Sequence, residues 1–258
     1  MLFGGFDLET ALRGIAFAGY RAAELSAILG MAEHLRIDLG SDHARDVRAL
    51  AERYGLALTA VEAATNDPDR LRRILQVSAE AGIGVVNIGP GGKSGDDESL
   101  KRSIDFLARM SDEAAKLGVT LAVKAHVGAA IHNTETTLRA IREISSPGFG
   151  VDFDPSHIFR ANEDPEVAVR SLAGKLAHVH IRDCVSREPR VGPPPEQVPG
   201  RGSLDLVALF RSLGEIDFDG PVNLEIIGAL KHELWQAQSI AAEGQGYLRR
   251  CMREAAVG

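Results

Sequence analysis

The sequence is poor in cysteine, with only Cys184 and Cys251. They lie far apart and without zinc-like spacing, so a reducing cytoplasm is the simplest setting. It has no apolar run near the roughly 20 residues that cross a membrane. No basic segment followed by a long apolar stretch opens it, so no signal peptide and no membrane partner are expected, and a cytoplasmic location is the default. A surplus of positive charge is also missing. The formal net charge of −7 argues against a nucleic-acid partner, which wants a basic face. Local arginines could still hold an anionic small molecule. No heptad, short repeat or low-complexity tract interrupts the chain.

What is present suits an ordinary globular protein, with 45% apolar and 25% charged residues among 258. Short β-rich runs alternate with helical patterns throughout. Strands are predicted at 2–6, 22–25, 56–62, 85–88, 119–125, 149–153, 177–181 and 221–226. Eight strands with helix-sized connections favour a parallel barrel over a sandwich or bundle. The expectation is α/β, one (β/α)8 TIM barrel over 1–258, a fold that typically needs about 250 residues. Leu100, Ile104, Leu107 and Ala114 recur at helical spacing and Gly118 ends that helix. Asp164 before Pro165 reads as a cap. Ser203 reads as the cap of 204–213, with Gly214 as its end.

The stretch 184–202 contains Pro189, Pro193, Pro194, Pro195 and Pro199 beside Arg187, Arg190 and Arg201. A connection so long is usually functional or disordered. It follows the seventh predicted strand, on the face where barrel active sites sit. A lid or substrate-contacting loop is expected there, with a plain surface excursion as the alternative.

Side chains two apart on a strand share a face. Lys124 with His126, Asp152 with Asp154, His178 with His180, and Asn223 with Glu225 are such pairs, each separated by an apolar residue. Ionisable groups inside a barrel are costly unless paired, hydrogen-bonded or metal-bound. Asp154, His180 and Glu225 form an oxygen-and-imidazole set that suits Mn²⁺, Mg²⁺, Co²⁺ or Zn²⁺. An internal salt-bridge network without metal is the alternative. Glu24 and Glu62 end the second and third predicted strands, where a carboxylate could bind sugar hydroxyls or a loop arginine. The run Gly89-Pro90-Gly91-Gly92-Lys93-Ser94-Gly95 lacks phosphate-loop spacing and reads as a mouth loop. His34, His43, His132 and His232 show no partner, and Trp235 reads as packing.

The motifs Ala18-Gly19-Tyr20-Arg21-Ala22-Ala23-Glu24-Leu25, Asp154-Pro155-Ser156-His157, His178-Val179-His180-Ile181-Arg182-Asp183 and Pro199-Gly200-Arg201-Gly202, with the strand around Glu225, occur in order along the whole chain. Together they resemble the xylose isomerase-like TIM-barrel superfamily, the sugar phosphate isomerases/epimerases. Members include ketose 3-epimerases, hydroxypyruvate isomerases, inosose dehydratases, C-glycoside deglycosidases and endonuclease IV. In the epimerase-like members Glu, Asp, His and Glu from strands five to eight hold a metal. The resemblance places Asp154, His180 and Glu225 in the last three positions. It makes His157 a substrate-contacting histidine and brings Arg201 to the substrate; His126, apart from the resemblance, is expected to orient neighbouring groups on the substrate side, with a structural histidine as the alternative. Association into a homo-oligomer is compatible with it. Endonuclease activity is the weakest option, since it wants more metal ligands and a basic stripe.

The first ligand departs from the pattern, for Lys124-Ala125-His126 stands where Glu-x-His is usual. A protonated lysine has no lone pair for a metal. Three accounts are open. A metal stays on Asp154, His180 and Glu225 while Lys124, its pKa lowered by burial and a positive neighbour, serves as acid/base. Or the Lys124 ammonium takes the ion's electrostatic role in a metal-free site. Or the site has decayed and only binds. The leading expectation is a divalent-metal-dependent isomerase or epimerase for a keto-sugar, cyclitol or sugar phosphate. Glu225 would take a proton beside a carbonyl and Lys124 would return one. A lyase (dehydratase) eliminating from an oxidised sugar, and a non-catalytic sugar-binding protein, are the alternatives.

Overall fold

The computed structural model describes residues 1–257. Among them the order is α1 (Leu8–Phe17), β1 (Ala22–Ile28), β2 (Ala32–Glu33), α2 (Gly40–Arg53), β3 (Ala57–Glu62), α3 (Pro68–Glu80), β4 (Val85–Ile88) and α4 (Asp97–Lys116). There follow β5 (Thr120–Lys124), α5 (Thr134–Glu143), β6 (Phe149–Phe153), α6 (Pro155–Arg160), α7 (Pro165–Ser171), β7 (Leu176–Ile181), α8 (Leu206–Glu215), β8 (Val222–Leu224) and α9 (Leu234–Val257). The strands form one curled sheet ordered β2-β1-β3-β4-β5-β6-β7-β8. All neighbours in it are parallel except the β1–β2 hairpin. This is an α/β fold of the TIM-barrel kind.

Its strands alternate as a barrel requires. Val61, Val86, Val123, Val151, Val179 and Ile181 face outward and are buried against helix residues such as Leu71, Ile74 and Leu107. Each such aliphatic side chain contributes roughly 1.5–3 kcal/mol by leaving water. The residues between them point inward, and at the strand ends these are Glu62, Asn87, Lys124, Asp152, His178 and His180, all buried.

Several helix boundaries follow the sequence signals. Gly118 takes φ +68° after α4, the left-handed position that glycine occupies without a Cβ penalty. Asp96 caps the start of α4 by accepting from Ser99 N at 3.1 Å. Other boundaries differ. Asp205, not Ser203, caps α8, accepting from Ala208 N at 2.9 Å, and the helix runs through Gly214. Asp164 precedes Pro165 but makes no capping bond, because its Oδ1 accepts from Arg187 Nη2 at 2.7 Å.

The predicted strand at 2–6 is a series of turns, closed by Gly4 N–H donating to Met1 O at 2.9 Å and Phe6 N–H to Phe3 O at 3.1 Å. Gly4 and Gly5 supply no side chains for a pleated surface. Gly5 also packs so tightly on Leu230 that a Cβ there would lie 2.2 Å from its carbonyl oxygen. Leu2 and Phe3 are still buried, in a small cluster with Val198, Ile226 and Ala237. The sheet's additional strand is the short antiparallel β2.

The stretch 184–202 has a 3₁₀ turn at Pro194–Glu196. It is tied to the barrel at several points. Arg160 Nη1 donates to Pro189 O at 2.7 Å and the Gln197 amide bonds the Ile227 backbone through both its ends. Arg187 lies over the Phe159 ring, 4.1 Å from its centroid.

Candidate active site

The sheet register assembles the site. Lys124 on β5 pairs with Asp152 on β6, Asp152 with His178 on β7, and His180 with Asn223 on β8. A register shift between Val151 and Asp152 brings Asp152 against both β7 histidines. Its Oδ1 lies 2.9 Å from His178 Nδ1 and its Oδ2 2.6 Å from His180 Nδ1. The other nitrogen of His180 meets Glu24 Oε2, while Glu24 Oε1 accepts from Asn87 Nδ2 at 2.7 Å. His180 therefore sits between two carboxylates. Burial opposes its protonation, but Asp152 and Glu24 outweigh it and hold its pKa well above the ordinary histidine value. Burial likewise opposes ionisation of Asp152 and Glu24, and the facing histidines reverse the balance and lower both.

Above this layer stands Lys124, only 5% exposed. Its Nζ donates to Glu225 Oε1 at 3.1 Å and to Glu62 Oε2 at 3.4 Å, and lies 3.9 Å from Asp152 Oδ2. Burial pushes the ammonium towards neutrality, yet Glu225, Glu62 and Asp152 together hold its pKa well above the ordinary lysine value. The lowered lysine pKa expected from burial is thus overturned by three neighbouring carboxylates. Glu225 would be raised by burial, but Lys124, His180 and Arg182 keep it well below the usual carboxylate range. Glu62 has fewer cations near it, and burial prevails, pushing it up to about 7.

Arg182, directly after β7, joins the cluster although no expectation attached to it. It is the largest fully buried side chain, and its fork spans two carboxylates. Nη1 donates to Glu225 Oε2 at 2.9 Å and Nη2 to Asp154 Oδ2 at 2.8 Å. Its Nε donates to Ser156 Oγ at 2.8 Å. The signal was available, since 178, 180 and 182 share one alternation. Asp154 follows β6 as the cap of α6 and accepts from Ser156 N and Oγ through Oδ1.

A cleft of about 400 Å³ opens over these groups, lined by Glu62, Lys124, His126, His157, Arg182 and Glu225 among others. That is within the size range of small-molecule sites. Gly89 and Gly91 of the expected mouth loop also line it. The His126 and His157 rings lie 4.1 Å apart. Burial, then Arg182, His126 and Arg160, push His157 well below its ordinary pKa, so its imidazole is neutral. Val127 N–H donates to its Nδ1 at 3.1 Å. Burial lowers His126 as well. Glu24 and His180 lie in the layer beneath. Arg201 is not brought to this cluster, because its guanidinium makes a forked pair with Glu243 Oε1 and Oε2 at 2.7 and 2.6 Å on the half-exposed surface.

Two groups of donor atoms converge within 4.8 Å and have a composition that a metal ion could use, Glu24–His178–His180 and Glu62–Asp152–His180. The expected trio Asp154, His180 and Glu225 does not form such a group. Arg182 stands between Asp154 and Glu225, and Lys124 between Glu225 and His180. As arranged, the residues do not fit a divalent ion at the expected position.

Comparison with known proteins agrees with the architecture. The family described as xylose isomerase-like TIM barrel matches residues 12–251. A ketose 3-epimerase of Arthrobacter globiformis is 26% identical over 233 residues, 85% of this chain and 68% of its own length. An inosose dehydratase of Geobacillus thermodenitrificans is 26% identical over 136 residues, 48% of this chain and 46% of its own length. The chain thus spans about half of that second relative. A solved structure of IOLI protein with a binding zinc atom superposes with TM-score 0.79 at 18% identity, covering 96% of this chain and 95% of the other. No helix among the described residues is long and apolar enough to cross a membrane.

Proposed function

The chain belongs to the xylose isomerase-like TIM-barrel family, and from that premise we propose that it is a sugar isomerase or epimerase. It moves a proton on carbon beside the carbonyl of a keto-sugar, inosose or related polyol. The observation that carries this reading is a pair of carboxylates flanking one ammonium in the cleft, with pKa values driven apart. Glu225 is held ionised by Lys124 and Arg182, and Glu62 stands near 7. Environments that drive two carboxylates apart in this way give them different roles, and the one near neutrality is suited to proton transfer.

The division of labour follows from the contacts. Both oxygens of Glu225 are held by cations, so it is a weak base and chiefly positions Lys124 and Arg182. Glu62, its carboxyl pushed up to about 7, is matched to take a carbon-bound proton and return it to the neighbouring carbon, the course of an isomerase, whereas inversion at one carbon needs a second group on the opposite face. The fixed charge on Lys124 Nζ stabilises the oxyanion that develops on the carbonyl oxygen as the proton leaves. Neutral His157 and His126 on the cleft wall accept or donate to substrate hydroxyls. The loop 184–202 packs on Phe159, Arg160 and Ile227 and supplies none of the residues that line the cleft.

The similarity to an inosose dehydratase favours one further reading, loss of water from the carbon next to the enolate by the same first proton removal. Incubation with a panel of ketohexoses and inososes, read by mass spectrometry and NMR, separates the two. A product of unchanged mass supports the isomerase or epimerase. A product lighter by one water transfers the assignment to the dehydratase, and no turnover or binding of any panel member removes both.

A further inference from the structure

We propose that Lys124 and Arg182 take the place of a divalent ion at the strand ends, so that this chain binds no such ion there and works with fixed organic cations. The inference goes beyond the assignment of the reaction and stands on geometry that is independent of turnover.

The first support is occupancy of the donor atoms. Glu225 gives Oε1 to Lys124 at 3.1 Å and Oε2 to Arg182 at 2.9 Å. Asp154 gives Oδ2 to Arg182 at 2.8 Å and Oδ1 to Ser156. An ion bridging Asp154 and Glu225 would have to displace the guanidinium, which is 1% exposed. An ion bridging Glu225 and His180 would have to displace the ammonium.

The second support is the state of His180. Its two ring nitrogens face Asp152 and Glu24. Both nitrogens are thus engaged, and the Lys124 ammonium lies 3.2 Å from Nδ1 as well. Both alternative donor groups, Glu24–His178–His180 and Glu62–Asp152–His180, share this residue, and an ion in the second would meet the Lys124 ammonium, 3.4 Å from Glu62 Oε2 and 3.9 Å from Asp152 Oδ2.

The third support is charge. The Lys124 ammonium and the Arg182 guanidinium already lie within 4 Å of carboxylate oxygens of Glu62, Asp152, Asp154 and Glu225. A divalent ion would add positive charge within a few ångströms of an ammonium, in a medium where such repulsion is strong. A polyol that develops a single negative charge suits a site with these fixed cations.

The test is direct binding of Mn²⁺ and Co²⁺ to purified, metal-stripped protein at neutral pH, by calorimetry and Mn²⁺ spin resonance. The wild type is expected to show no stoichiometric site tighter than about 1 mM. Lys124→Glu, checked for folding by circular dichroism, is expected to bind one equivalent at least about 100-fold more tightly. Stoichiometric micromolar binding by the wild type that Asp154→Asn or His180→Gln removes would overturn the proposal. So would a folded Lys124→Glu that gains no affinity. Arg182→Met, which frees oxygens on Asp154 and Glu225, supplies a second variant and is expected to gain affinity in the same direction.

Discussion

Arg182 Nη1 lies 2.9 Å from Glu225 Oε2, on the oxygen that Lys124 does not hold. The carboxylate at the end of β8 is thereby clamped between two cations. This turns it from the obvious base into a group that fixes positive charge at the floor of the cleft.

Removing the guanidinium leaves Asp154 and Glu225 buried with one cation fewer. Arg182→Met is expected to destabilise the fold by about 3–5 kcal/mol, as breaking buried pairs does. Arg182→Lys should recover only part, since an ammonium cannot reproduce the fork across two carboxylates. Urea unfolding of both variants checks this. A loss below about 1 kcal/mol for the methionine variant would mean the clamp carries little.

Glu62 gives the activity its pH dependence. With its carboxyl near 7, the ionised base form appears as pH rises. Activity at low substrate should therefore climb through about pH 7 and level off above it. Glu62→Gln should lose that limb together with about 10²- to 10⁴-fold in rate. For stability the sign is opposite. A folded-state pKa raised above the unfolded value favours the fold at low pH, and that contribution is lost as pH rises through 7. The glutamine variant should not share that decline, which denaturation at pH 5 and 8 measures.

Much of this arrangement is legible in the residues themselves. The inward alternation that ends in Lys124, His178, His180 and Glu225 follows from strand periodicity, and the barrel follows from strands recurring between helix-sized segments. The register shift at Val151/Asp152 is not written in any local pattern. It decides that Asp152, rather than Asp154, meets the two histidines. The turns at 2–6 were misread because Leu2, Phe3 and Phe6 look strand-like, while the close approach of Gly5 to Leu230 arises only in three dimensions. Arg201 sits in a motif that suggests substrate contact, yet Glu243, 42 residues away in sequence, takes its guanidinium.

The Asp152–His180 pair predicts a stability window. A lowered carboxyl pKa contributes fully above the unfolded value near 4, and a raised imidazole pKa contributes fully below about 6.5. The pair should stabilise most between these limits, weakening as pH falls below or rises above them. Asp152→Asn is expected to lose about 3–5 kcal/mol within the window. It should also flatten the profile when denaturation is followed from pH 3 to 9.

Arg201 supplies a contrasting outcome. Its pair with Glu243 is half-exposed, so Arg201→Ala should change stability by no more than about 1 kcal/mol. KM should stay within about twofold, because a guanidinium held at the surface contributes no binding energy to substrate. A tenfold rise in KM with unchanged folding would show instead that the loop carries Arg201 to the substrate.

Proton transfer at carbon is tested most directly by deuterium uptake. The sugar turned over in the panel, incubated in D₂O and followed by proton NMR, should lose the signal of the hydrogen beside its carbonyl with wild-type protein. It should keep that signal with Glu62→Gln, although the sugar still binds. Exchange at the wild-type rate in the Glu62→Gln variant, or turnover by the wild type without any deuterium entering, would contradict the account.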